Sequence, residues 1–185
     1  MEYIFYSIIG PHCQKSAIEI IKEKQHEIEL GICSFNLWSA RIDQKSIEQV
    51  WHLDASDRVL VLGKINTKAT DPGKEKKIIT AQKMIGPTGE ESIPTGIETT
   101  YPERKNYQAY KVKKYEIPDS PISFDLGKYE SLLRNNTTQS FKQRFDRFSR
   151  FQNTFGKKNN QLSESCIKEI SVIMELEYPF VVKII

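Results

Sequence analysis

Asp57-Arg58-Val59-Leu60-Val61-Leu62-Gly63-Lys64-Ile65 is the stretch that decides the fold class. It is an apolar, β-branched run, entered through polar residues and left through Asn66, and it predicts a strand. Upstream, residues 43–51 place Ile47, Val50 and Trp51 at i, i+3 and i+4, the spacing of one helix face, with Trp51 as a core residue. Further upstream, residues 3–9 read as a strand, and residues 16–24 space Ala17, Ile18, Ile20 and Ile21 among charges as an amphipathic helix does. Between those two helices, Gly31-Ile32-Cys33-Ser34-Phe35-Asn36-Leu37-Trp38-Ser39-Ala40-Arg41 carries aromatic residues with no helical period. Strands thus alternate with helices, and the expected class is α+β.

Downstream of the deciding strand, Asp71-Pro72-Gly73 is a turn, because proline presets φ and glycine accepts positive φ. Residues 76–85 predict another strand, with Ile78, Ile79, Ala81 and Met84 available for burial. Gly86, Pro87, Gly89, Pro94, Gly96 and Pro102 make residues 86–106 a long loop, a length that in compact domains goes with function or disorder. Residues 107–115 predict a strand with a basic face of Lys111, Lys113 and Lys114, ended by Pro118 and Pro121.

Phe141, Phe145, Phe148, Phe151 and Phe155 recur at steps of 4, 3, 3 and 4, which aligns them on one stripe of a helix. Ser140 or a nearby threonine caps its start, and Gly156 with Lys157 and Lys158 ends it. Such a stripe is usually a core face; otherwise it docks a partner protein. Residues 163–173 predict a further helix and residues 178–185 a closing strand. The expected division is a core over residues 1–125 and a helical extension over residues 126–185 packed on it.

Composition narrows the class. A chain of 185 residues with 38% hydrophobic and 28% charged residues suits one core. No run approaches the roughly 18 to 20 apolar residues that span a bilayer, so no membrane partner is expected. The first residues lack the basic segment and small-residue cleavage site of a secretory signal, which makes cytoplasmic location the expectation. Cys13, Cys33 and Cys166 are odd in number and widely spaced, which fits neither a disulfide framework nor a paired zinc motif.

Charge is uneven along the chain. Residues 1–60 carry 6 Lys/Arg against 9 Asp/Glu, residues 61–160 carry 19 against 11, and residues 161–185 carry 2 against 4. A basic centre of this kind suits a polyanionic partner, since lysine and arginine release the counterions of a phosphate backbone. It equally suits a solvated lysine-rich surface.

Several chemistries lack their motifs. The chain has no G-x-x-x-x-G-K-[ST], G-x-G-x-x-G or G-x-S-x-G. His12, His26 and His52 form no H-x-x-x-H pattern, so neither a metal nor another cofactor is expected. The enzymatic alternative is a metal-dependent nuclease, in which Glu75-Lys76-Lys77 and a second carboxylate from Asp57 or Asp71 would hold a divalent ion. Aromatic residues beside basic ones point elsewhere: Trp38 with Arg41, and Tyr101 with Arg104 and Lys105, pair a stacking surface with phosphate partners.

The order of strand 3–9, helix 16–24, the Gly31-Ile32 to Trp38-Ser39 segment, a helix ending in Val50-Trp51 and strands from Asp57 and Lys77 resembles the PUA-like superfamily, in particular its EVE and YTH branches. The resemblance covers residues 1–125. It implies a small twisted β-barrel flanked by helices, which reads a modified or flipped base of DNA or RNA in an aromatic cage. Trp38 would match the cage tryptophan after the first helix, Ser39 its neighbour whose backbone meets the base, and Tyr101 a second wall. That later loop commonly carries a tryptophan in the family, and here it has none. With Arg41, Lys64, Arg104 and Lys105 as phosphate contacts, the implied role is a non-catalytic reader. Similar domains serve as recognition modules of McrB-type, modification-dependent restriction systems, which makes a fused C-terminal domain a further expected partner.

Overall fold

The computed structural model describes residues 1–11, 15–29, 35–39, 44–66, 77–78, 84–91, 98–99, 107–132, 139–143 and 154–184. Its elements run β1 (Glu2–Ile9), α1 (Ala17–Glu29), β2 (Phe35–Ser39), α2 (Gln44–Trp51), β3 (Arg58–Ile65), β4 (Lys77–Ile78), β5 (Met84–Gly86), β6 (Gly89–Glu91) and β7 (Glu98–Thr99). They continue with β8 (Tyr107–Glu116), β9 (Ile122–Asp125), a short 3-10 helix (Leu126–Lys128), β10 (Tyr129–Ser131), β11 (Gln139–Ser140), β12 (Thr154–Lys158), β13 (Ile167–Ile170) and β14 (Val172–Ile184).

β1 and β3 pair in parallel from Glu2 opposite Arg58 to Ile9 opposite Ile65, and the intervening chain carries α1 and α2. Both strands hold continuous buried runs, as strands covered on two faces do. Alternation then splits their side chains: Phe5, Val59 and Val61 join one apolar cluster, while Ile4, Tyr6, Leu60 and Leu62 join another. The first cluster receives Ala17, Ile20 and Ile21 of α1 and Val50 of α2. The second receives Leu126, Cys166 and Ile170 from a ribbon built from β9, the 3-10 helix and β13, which covers the sheet, and Phe141 from just beyond β11. The result is a mixed α/β fold with few helices, in which a sheet curled into a half-barrel is layered between helices and ribbon.

Local chemistry accounts for the elements. Ser16 and Glu19 form a reciprocal cap that starts α1: the Glu19 amide donates to Ser16 Oγ at 3.2 Å and the Ser16 amide to Glu19 Oε2 at 2.7 Å. α2 is tied to the sheet by Trp51 Nε1, which donates to the Val181 carbonyl at 2.8 Å; Trp51 itself is half-buried. β14 lies between β3 and β8 over its first half and between β5 and β8 over its second. Where it bends, residues 177–180 oppose Lys111 alone, and Phe180 takes a φ of 64° while fully buried. β8 continues to β2, with Phe35 opposite Lys111 and Ser39 opposite Tyr107.

The C-terminal third departs from the expected helical extension. Residues 141–143 are helical and residues 144–153 lie outside the described residues, but Phe155 and Gly156 belong to β12, between β1 and β10. Phe155 packs on Phe5 at 4.6 Å and Tyr3 at 5.7 Å in the helix-side cluster, whereas Phe141 faces Tyr129 at 6.2 Å in the ribbon-side cluster. Rings on opposite faces of a sheet cannot share one helical stripe. Gly156 is a strand residue in close contact with the Phe141 ring, where an added Cβ would also fall 2.6 Å from the Glu130 carbonyl oxygen. Residues 163–173 are also not a helix: Ile167–Ile170 pairs with β9, and Val172 already belongs to β14. β12 and β14 are strands of the main sheet, so the pairing interleaves segments from both sides of residue 125.

The expected strand over residues 76–85 contains β4 and the start of β5, with residues 79–83 outside the described residues. The expected loop over residues 86–106 contains a β5–β6 hairpin, turning at Gly89 with a φ of 118°, and β7, which pairs with β4.

Candidate functional site

Two places on the sheet bear on function. The first is β2, which carries Trp38 and Ser39. Trp38 pairs with Gln108 and Ser39 with Tyr107, and β7 comes within 8 Å of β2, Cα to Cα. Thr99 and Tyr107, which bound residues 100–106, are thus both held near this strand. Tyr101, Arg104, Lys105 and Arg41 lie outside the described residues. Lys64 stands elsewhere: half-buried on β3, it follows Gly63, which pairs with Val172 beside the Ile173–Glu116 row. Eight steps of β8 separate Gln108 from Glu116, roughly 26 Å of strand at ~3.3 Å per residue, so Lys64 and Trp38 do not converge.

The basic face expected for β8 is offset by carboxylates. Lys111 lies 3.8 Å from Glu177, Lys113 3.8 Å from Glu175 and Lys114 3.8 Å from Glu116. Of the nuclease candidates, Asp57 is engaged by the Met1 ammonium at 3.2 Å and by the Asp54 amide at 2.8 Å, while Glu75, Lys76 and Asp71 lie outside the described residues. Among the described residues no three His, Cys, Asp or Glu side chains are grouped to hold a metal ion, and no helix is long and apolar enough to cross a membrane. Cys166, just before β13, forms no disulfide among the described residues and is buried in the ribbon-side cluster.

The second place is an open cleft of about 450 Å³ on the ribbon side, where the ribbon leaves part of the sheet uncovered. Leu60, Leu62 and Ile173 floor it, and Phe124 and Tyr129 stand at its side. Glu2 accepts from Arg58 Nη1 at 3.2 Å and from the Tyr129 hydroxyl. Burial, and then the bond to Glu2, push the Tyr129 hydroxyl pKa up, so this group keeps its proton and acts as a donor. Asp125 Oδ1 accepts from the Cys166 and Gly127 amides, both at 2.9 Å, and those bonds hold its carboxyl below the ordinary range. Lys128 Nζ donates to the Leu162 carbonyl at 3.0 Å.

No sequence motif announces this cleft. Its residues come from eight separate elements, and the sequence signal was limited to short charged and aromatic runs such as Lys128-Tyr129-Glu130. Comparison with protein-family models, with curated proteins and with solved structures finds no match for the chain.

Proposed function

We propose that the chain is a non-catalytic nucleic-acid-binding domain of the PUA-like, EVE/YTH kind, which reads a modified or flipped base beside Trp38. The observation that carries this reading is that β7 comes close to β2 while Tyr107, at the start of β8, pairs with Ser39 beside Trp38. Tyr101, Arg104 and Lys105 fall between β7 and β8 in the sequence, and Arg41 follows Ser39 by two positions. In this reading the aromatic residues supply a stacking surface and the cations contact phosphate. Lys64 is left out of this site, and the lysines of β8 have their own carboxylates.

Anisotropy titrations with methylated and unmethylated DNA and RNA oligonucleotides test the reading. The wild type is expected to prefer one modified strand, with affinity falling as salt rises. Trp38→Ala is expected to melt close to wild type and to lose the stacking contribution, about 1 to 3 kcal/mol or a factor of about 5 to 150 in affinity. Equal binding of all oligonucleotides by wild type and variant, or binding flat in salt, refutes it.

A further inference from the structure

The ribbon-side cleft has a charge pattern that selects its ligand. Its carboxylates are already engaged: Glu2 by Arg58 and Tyr129, Glu116 by Lys114, Glu175 by Lys113, and Asp125 by two backbone amides. Its cations are not all so engaged. Among the described residues, Lys128 donates to a carbonyl and lies close enough to Asp125 to help hold its carboxyl charged, without a salt bridge to it, and Lys158, exposed and directly opposite Tyr129 in the β10–β12 pairing, has no ion-pair partner. An arriving anion therefore meets two ammonium groups without displacing a salt bridge among the described residues.

We propose that this cleft binds a mononucleotide: a flat ring carrying a single phosphate. The phosphate takes Lys128 and Lys158, and the ring packs against Phe124 over the Leu60 and Ile173 floor. Ribose hydroxyls and ring amino groups donate to the free lone pairs of Glu116 and Glu175, which gives acidic residues on the rim of an anion site a purpose. The same carboxylates disfavour a chain of phosphates running through the cleft, which commits it to one. Its volume lies within the roughly 300 to 1,000 Å³ of small-ligand pockets. The ligand is either a free nucleotide or the 5′-phosphorylated end of a strand, whose chemistry at the site is the same.

This inference does not rest on the Trp38 site, since the cleft takes the Lys114–Glu116 end of β8 and Trp38 pairs with the other. Amide-shift titrations of the whole chain with AMP, UMP, adenosine and inorganic phosphate test it. A mononucleotide is expected to shift Lys128, Tyr129 and Lys158 saturably, with adenosine and phosphate each at least about tenfold weaker. Lys158→Ala, at an exposed position, is expected to weaken the nucleotide about tenfold, and Trp38→Ala to leave it unchanged. A short strand bearing a 5′-phosphate, compared with one bearing a 5′-hydroxyl, separates the two sources: tighter binding of the phosphorylated strand than of AMP assigns the strand end, and the reverse assigns the free nucleotide. No saturable shift with any mononucleotide, equal binding of AMP and adenosine, or an unchanged response in Lys158→Ala overturns the proposal.

Discussion

The two faces of the central sheet are closed by different means. On the helix side, α1 and α2 lay Ile20, Ile21 and Val50 over Phe5, Val59 and Val61. On the ribbon side, the cover is β9, a single 3-10 turn and β13, and it protects Leu60 and Leu62 while leaving a charged cleft beside them. Helices cover a sheet broadly because one apolar stripe spans several strands; a two-stranded ribbon covers only its own width. The protein thus has one face suited to stability and one with room for a ligand.

Substitutions in the two clusters test that division. Phe5→Ala, in contact with Phe155 and Tyr110, is expected to cost about 3 to 5 kcal/mol in urea unfolding and to melt the whole fold in one transition. Leu126→Ala, at a fully buried position in the ribbon's 3-10 turn, is expected to cost about 2 to 4 kcal/mol and to raise amide exchange in β9 and β13 before β1 and β3. Equal exchange across both faces would show that the ribbon is as integral as the helices. Trp51→Phe keeps an aromatic side chain, smaller than the indole, and removes the donor to the Val181 carbonyl, for about 1 to 1.5 kcal/mol from the hydrogen bond.

Asp125→Ala removes the acceptor that caps the 3-10 turn, worth about 1 kcal/mol at neutral pH. The Asp125 carboxyl sits below its ordinary value because the folded state binds its charged form. Its contribution is full above the unfolded value, about pH 4, and is lost as pH falls through the lowered one. The gap between wild type and variant should close in that acid window, and a gap constant into strong acid would assign the cost to packing. Lys113→Ala, breaking an exposed pair, is expected to move stability by less than about 0.5 kcal/mol.

β1, α1, α2, β3 and β8 were legible because each carries its own period: Val59 to Leu62 is apolar on both faces, and Ile47, Val50 and Trp51 repeat as a helix does. The phenylalanine stripe misled because helical spacing is a statement about one element, and here Phe141 and Phe155 serve two elements on opposite faces. Ile167, Ile170, Val172 and Ile173 held a β-branched signal for β13 and β14 that outweighs the helical reading. At the candidate sites, Trp38 and Ser39 could be singled out from residue type alone, whereas the ribbon-side cleft depends on long-range pairing that no local window contains.

β14 occupies the interior of the sheet, yet its residues follow those of β3 and β8, its neighbours on either side. Until residues 172–184 arrive, those two strands have one hydrogen-bonding edge each with no partner from β14, and the Val59 to Leu62 run is apolar on both sides. Folding must therefore wait for contacts between segments far apart in the chain, which places it in the slow, high-contact-order regime of milliseconds to seconds. In that interval an incompletely made chain presents the pairing edges that promote aggregation, so synthesis rate and chaperone supply, rather than native stability, should set how much folded protein is recovered.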